Sequence, residues 1–114
     1  MIKSICPHIP STQPEITKAF LIELFGMTEI ISSDQYIELL SNGSTVGILA
    51  CETQPNEQSL AVEVSDIEAL WKEKRVYLEQ FHTRALFTQS YGAKEFHVVA
   101  PETNTLIFVS QRMD

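Results

Sequence analysis

Three carboxylates of this 114-residue chain, Glu38, Glu63 and Glu95, stand in runs that alternate apolar and polar side chains, as do His8, His97 and Tyr36, with Tyr91 just ahead of the last run. Residues two apart on a strand share a face. That rule groups Cys6 with His8, Tyr36 with Glu38 and Leu40, and Ser59 with Ala61 and Glu63. It also groups Glu95 with His97, and Thr105 with Ile107 and Val109, each set pointing away from a helix layer. Carboxylates interleaved with aromatic rings suit a planar or cationic ligand, held by cation–π contact and charge-assisted hydrogen bonds. The expected ligand-binding residues are Tyr36, Glu38, Glu63, Tyr91, Glu95, His97 and Ile107. A plain solvated sheet face shows the same alternation, so the pattern alone does not separate a groove from a surface. Cys6 beside His8 raises the idea of a stabilised thiolate. Strand geometry, however, holds side chains two apart at about 7 Å, and no third orienting group follows. No catalytic residue is assigned.

The elements that must position these groups are legible from period and punctuation. The stretch 91–109 contains two alternating runs joined by Pro101 and Asn104, which predicts a β-hairpin. One of its faces is expected to carry Phe96, Val98, Leu106 and Phe108 into the core, and the other Glu95, His97 and Ile107. Residues 2–9 read as a strand whose Pro7 and Pro10 suit a sheet edge. Thr12-Gln13-Pro14-Glu15 reads as a capping box with proline in the first turn, opening a helix through Ile16, Ala19, Phe20 and Leu24 that Gly26 ends. Strands are expected at 27–32, 35–40 and 45–51, the last two joined by Asn42-Gly43, the strongest short hairpin signal.

After a linker at 53–58 the pattern starts again. A strand at 59–64 leads into a second capping box, Ser65-Asp66-Ile67-Glu68, and a helix whose apolar side holds Ile67, Leu70, Trp71 and Leu78. A strand at 83–88 precedes the hairpin. The two boxes lie about half a chain apart, which predicts an internal repeat of β-α-β-β-β modules. The reading is a single α+β domain over 1–114, with module 1 at about 1–52 and module 2 at about 59–114.

Composition narrows the partners. A formal charge of −7, with eight Lys and Arg that form no cluster, argues against a nucleic-acid surface. No apolar run approaches the 18 residues of a membrane span, and residues 1–4 lack the apolar core of a signal peptide. Cys6 and Cys51 form neither a Cys-x-x-Cys pair nor a disulfide framework. The expectation is a cytoplasmic protein with reduced thiols and no membrane partner.

Several short motifs resemble the vicinal oxygen chelate superfamily, which includes glyoxalase I, extradiol dioxygenases and the bleomycin-resistance proteins. Leu24-Phe25-Gly26-Met27 is similar to that family's helix end, and Ala61-Val62-Glu63-Val64-Ser65-Asp66 to its strand-to-helix junction. Tyr91-Gly92-Ala93-Lys94-Glu95-Phe96, followed by Pro101-Glu102-Thr103-Asn104, is similar to its final hairpin. The turn departs from the family's pattern, having Ala100 before Pro101 and Thr103 where the family has glycine. The resemblance implies a curved, cup-like mixed sheet with helices on its outer face. Enzymatic members hold a divalent metal on the cup face, normally through His, Gln and Glu. Set on that pattern, Cys6 falls at the first-strand ligand position, Ser59 at its repeat and Ile107 at the final-strand carboxylate. The strand 45–49 offers no carboxylate. His8 could restore one ligand, but not the set.

The resemblance therefore points to the metal-free, bleomycin-resistance-like group. It implies a homodimer that binds a small, cationic or aromatic drug-like molecule without cofactor, with Tyr91 at a position that stacks on ligand. Two alternatives stay open. One is a metal-dependent lyase or dioxygenase with an atypical ligand set drawn from His8, Glu38, Glu95 and His97. The other is an interaction module whose cup is vestigial.

Overall fold

A computed structural model describes residues 1–112. Ten elements follow one another: β1 (His8–Ser11), α1 (Pro14–Phe25), β2 (Thr28–Ser32), β3 (Tyr36–Ser41) and β4 (Ser44–Ala50), then β5 (Gln58–Glu63), α2 (Ile67–Leu78), β6 (Thr83–Thr88), β7 (Lys94–Ala100) and β8 (Thr105–Gln111). The strands form two four-stranded mixed sheets of identical topology, β1-β4-β3-β2 and β5-β8-β7-β6. Contacts divide the chain into unit 1, Met1–Asn56 with Pro101–Asn104, and unit 2, the rest from Glu57 on. The expected α+β fold of repeated β-α-β-β-β modules is what the chain forms.

In unit 1, α1 covers one face of its sheet. Phe20, Leu21 and Leu24 are buried with Ile9, Ile37, Leu39, Val46 and Ile48. Pro14 opens the helix and Gly26 closes it at φ 65°, a left-handed conformation that costs a side-chain-bearing residue more. The N-cap is Gln13, one residue beyond the expected Thr12. Thr12 is occupied elsewhere: its hydroxyl donates to Glu102 Oε2 at 2.8 Å. Thr17 donates to the Pro101 carbonyl (2.9 Å), so its oxygen accepts from the buried Ser11 hydroxyl (2.7 Å), which in turn accepts from the Gln13 N–H (3.0 Å). Every polar group of this small buried chain is thus paired, as burial requires. Strand β1 starts later than its alternation suggested, at His8, and is an edge strand, as its prolines require. Asn42 and Gly43 both adopt positive φ, 48° and 81°, in the tight turn joining β3 to β4.

In unit 2, α2 is capped by Asp66, not Ser65, through Oδ1 accepting from the Ala69 N–H at 3.1 Å. Trp71 packs on buried Phe96, ring centroids 5.2 Å apart, as its place on the apolar side of the helix predicts. The hairpin forms where expected, but its second strand faces the opposite way. Phe96 pairs with Val109 and Val98 with Ile107. Residues directly opposite each other point to the same face, and all four are fully buried. Ile107 is therefore a core residue, as are Thr105 and Val109, while Leu106 and Phe108 share the face of Glu95 and His97. The edge strands β2 and β6 each carry a bulge, between Glu29 and Ile31 and between Arg84 and Phe87. No helix is long and apolar enough to cross a membrane among the described residues.

Candidate functional site

Each sheet turns one face to its helix and leaves the other uncovered by it, and these second faces carry the polar groups. In unit 1, His8, Glu38 and Gly47 sit in register across β1, β3 and β4. Tyr36 donates its hydroxyl proton to Glu38 Oε1 at 2.6 Å. With that proton committed, Tyr36 Oη is an acceptor, and His8 Nε2 lies 3.4 Å and Cys6 Sγ 3.8 Å from it. The bond to Glu38, then burial, then Cys6 raise the Tyr36 phenol pKa well above the ordinary tyrosine value. It is a proton holder, not a base. Gly47 makes this arrangement fit: a Cβ there would come within 2.6 Å of Tyr36 Cε1 and 2.7 Å of His8 Cδ2. Glycine inside a strand signals such a close approach.

In unit 2 the equivalent register is His97 opposite Phe108 opposite Ala61. Glu95 is only 6% exposed. Its Oε1 lies 2.9 Å from His97 Nε2, and its Oε2 accepts from the Tyr91 hydroxyl at 2.7 Å. An ionised carboxylate only accepts, so His97 Nε2 is the donor. His97, Tyr91 and Gln89 together outweigh burial and hold the Glu95 pKa below the ordinary carboxylate value, His97 contributing most. Phe87 and Phe108 both meet the His97 ring edge-on, with centroids 5.3 and 4.4 Å away, and the Arg84 guanidinium stacks 3.7 Å above Phe87.

Beside Glu95 opens a cleft of about 630 Å³, lined by Ala61, Gln89, Tyr91, Ala93 and Phe108 as well as by Glu95 itself. Ser110 and Arg112 complete its wall. That volume falls within the range of small-molecule pockets. The Tyr91 ring is 71% exposed although its hydroxyl is tied to Glu95, whose bond is the main reason its pKa is raised.

Of the residues expected from sequence, Tyr91 and Glu95 line this cleft and His97 touches it through Glu95. Glu63 is exposed on the same face, 3.9 Å from Arg112. Tyr36 and Glu38 form a cluster within unit 1. Ile107 belongs to neither, being buried against the helix side. Sequence reading passed over Phe108, Gln89 and Arg112. For Phe108 the signal was present but inverted by one residue, and for the other two no spacing pattern marks them.

The donor set does not fit the metal that enzymes of this fold carry. With β8 in its observed register the residues on the cleft face are Leu106, Phe108 and Ser110, without a carboxylate. Among the described residues no three His, Cys, Asp or Glu side chains converge to hold an ion.

No family model matches the chain, and no curated protein matches its sequence. Solved structures do match its fold. A bleomycin resistance determinant encoded on the transposon Tn5 superposes with a TM-score of 0.83 at 17% identity, over 99% of this chain and 100% of that one. A bleomycin-binding protein from bleomycin-producing Streptomyces verticillus, complexed with copper(II)-bleomycin, gives 0.77 at 17% identity over 99% and 100%. Lactoylglutathione lyase from Agrobacterium tumefaciens gives 0.75 at 10% identity over 97% and 95%. The chain thus has the same fold as these bleomycin-binding and lactoylglutathione lyase structures.

Proposed function

We propose that this protein binds a small cationic, aromatic-bearing molecule in the unit 2 cleft without a metal, in the manner of a bleomycin-resistance protein. The observation that carries the reading is Glu95, a carboxylate almost withdrawn from water and kept ionised beside an open cleft. Its bonds to His97, Tyr91 and Gln89 keep it charged, and a ligand cation in the cleft would meet that charge at close range, with the Tyr91 ring and Phe108 as apolar walls. The likeness to proteins that bind bleomycin supports the same reading. A two-fold homodimer, the commonest assembly of such chains, is part of the proposal, and light scattering behind a sizing column would check it.

The test is calorimetry of the chelator-treated protein with metal-free bleomycin and a panel of cationic aromatic compounds. At least one compound should bind stoichiometrically, with Glu95→Gln weakening it about tenfold or more, the loss of one well-placed ion pair. Silence from the whole panel would sink the proposal. In parallel, titration with Ni²⁺, Co²⁺, Mn²⁺, Zn²⁺ and anaerobic Fe²⁺ should give no stoichiometric heat. A tight site lost in His97→Ala or His8→Ala would turn the protein into a lyase or oxygenase candidate instead.

A further inference from the structure

We infer that the Tyr91 hydroxyl is an internal competitor for the ligand cation, so that the cleft selects cations bearing N–H groups over fully substituted ones. The inference rests on the cleft reading above and goes one step further, to the class of cation. Both Glu95 oxygens already receive a donor: Oε1 from the His97 imidazole and Oε2 from Tyr91. His97 is held in place by Phe87 and Phe108 and is largely enclosed, its side chain 12% exposed. Tyr91 is the opposite case, with a ring 71% exposed that little packing restrains. Of these two donors it is the one that can leave, Gln89 being a third group that supports the Glu95 charge.

Its departure exposes Oε2 of a carboxylate that is otherwise shielded, and an acceptor stripped of its donor in such a place is costly. A ligand therefore enters only if it replaces the lost hydrogen bond. Ammonium, amidinium and guanidinium groups do so, with a charge-assisted bond stronger than the phenol's. A quaternary ammonium has no proton to give and does not replace the bond that Oε2 loses. The charged groups around the cleft are consistent with this division. Lys94 is bonded to Glu68, Arg84 is stacked on Phe87, and Arg112 in the cleft wall lies 3.9 Å from Glu63.

A protein whose binding-competent state is only partly populated binds its ligand with an affinity reduced by that fraction. Removing the competitor while keeping the ring should then raise affinity. The experiment follows two fragments by NMR titration, benzamidinium and phenyltrimethylammonium, against wild type, Tyr91→Phe, Tyr91→Ala and Glu95→Gln. Benzamidinium should bind Tyr91→Phe about three- to tenfold tighter than wild type and lose binding in Glu95→Gln, while phenyltrimethylammonium should bind weakly to all four. Benzamidinium binding equally or more weakly to Tyr91→Phe, with wild type still competent, overturns the gate and leaves the cleft reading standing. Failure of both fragments to bind any form overturns both. A ligand-free readout runs alongside. The wild-type minus Tyr91→Phe ultraviolet titration isolates one phenol, which should ionise at higher pH than free tyrosine in wild type and return toward the ordinary value in a Glu95→Gln background. An ordinary phenol in the wild type would show that the bond is not populated, and the inference would fall.

Discussion

The two units run the same chain path, and their three inner pairings, β1-β4-β3 and β5-β8-β7, keep the same offsets, yet their uncovered faces are built oppositely. In unit 1 the centre of the face is Gly47, and the Tyr36 and His8 rings fold down over it, satisfying Glu38 from within the strand layer. In unit 2 the equivalent position is Phe108, which fills that space, and the tyrosine comes instead from the loop before β7, bonding Glu95 from outside. On the first face the polar groups bond one another over the glycine; beside the second lies the cleft. Glycine at this position of β4 leaves room for the Tyr36 and His8 rings over the sheet, whereas phenylalanine at the matching position of β8 stands in the cleft wall.

The comparison depends on the register that puts Phe108 on the cleft face, so the largest expected effect tests it. Ile107→Ala removes a fully buried side chain and should cost about 2–5 kcal/mol. Leu106→Ala, on the half-buried opposite face, should cost about 1 kcal/mol. Urea unfolding reads both, and the reverse order would return Ile107 to the cleft.

This register was also the point at which the sequence stopped being legible. Leu106-Ile107-Phe108-Val109 is apolar at every position, so period two has nothing to alternate. What breaks the tie is the turn from Pro101 to Asn104, in which Glu102 and Asn104 take positive φ of 68° and 51° and bring Thr105 opposite Ala100. A residue more or less in that turn flips the whole strand. Where alternation was real, as at Tyr36, Ile37, Glu38 and Leu39, the sequence predicted faces correctly, and Asn42-Gly43 predicted its turn down to the dihedral region. Both helix caps lie one residue beyond the expected ones: Thr12 is drawn away by Glu102, 90 residues on, outside any local motif, whereas at α2 Asp66, a good cap residue next to Ser65, takes the Ala69 N–H itself. The Tyr91, Glu95 and His97 cluster was legible because all three residues sit within seven positions. The unit 1 cluster brings Cys6 and His8 to Tyr36 across about thirty residues, and alternation placed each on its face without saying they touch.

The next effect down tests the unit 1 face. Gly47→Ala drives a methyl into the Tyr36 and His8 rings. Both are side-chain tips on a half-exposed surface and can swing out, so the loss should be about 1 kcal/mol, at the low end for overpacking. The Tyr36 phenol, freed from Glu38, should then ionise nearer the ordinary tyrosine value. In a Tyr36→Ala background the same glycine substitution should cost almost nothing, and a double-mutant cycle measures that coupling. Additive losses would mean that Gly47 serves the backbone and not the rings.

The smallest effect concerns the unit 2 face and acid. The Glu95 pKa is lower folded than unfolded, so its ionised form favours the native state. That contribution is complete above the ordinary carboxylate value, near 4.5, and fades as pH falls through the lower folded value. Glu95→Gln should therefore flatten the acid side of the stability profile, with wild type and variant converging in slope near neutrality. His97→Gln, which removes the first cause of the shift, should flatten it in part, leaving what Tyr91 and Gln89 supply. If His97→Gln left the acid limb of the wild-type profile intact, the imidazole would be no more than packing between Phe87 and Phe108. The charge balance of this face would then have to reside in Tyr91 and Gln89.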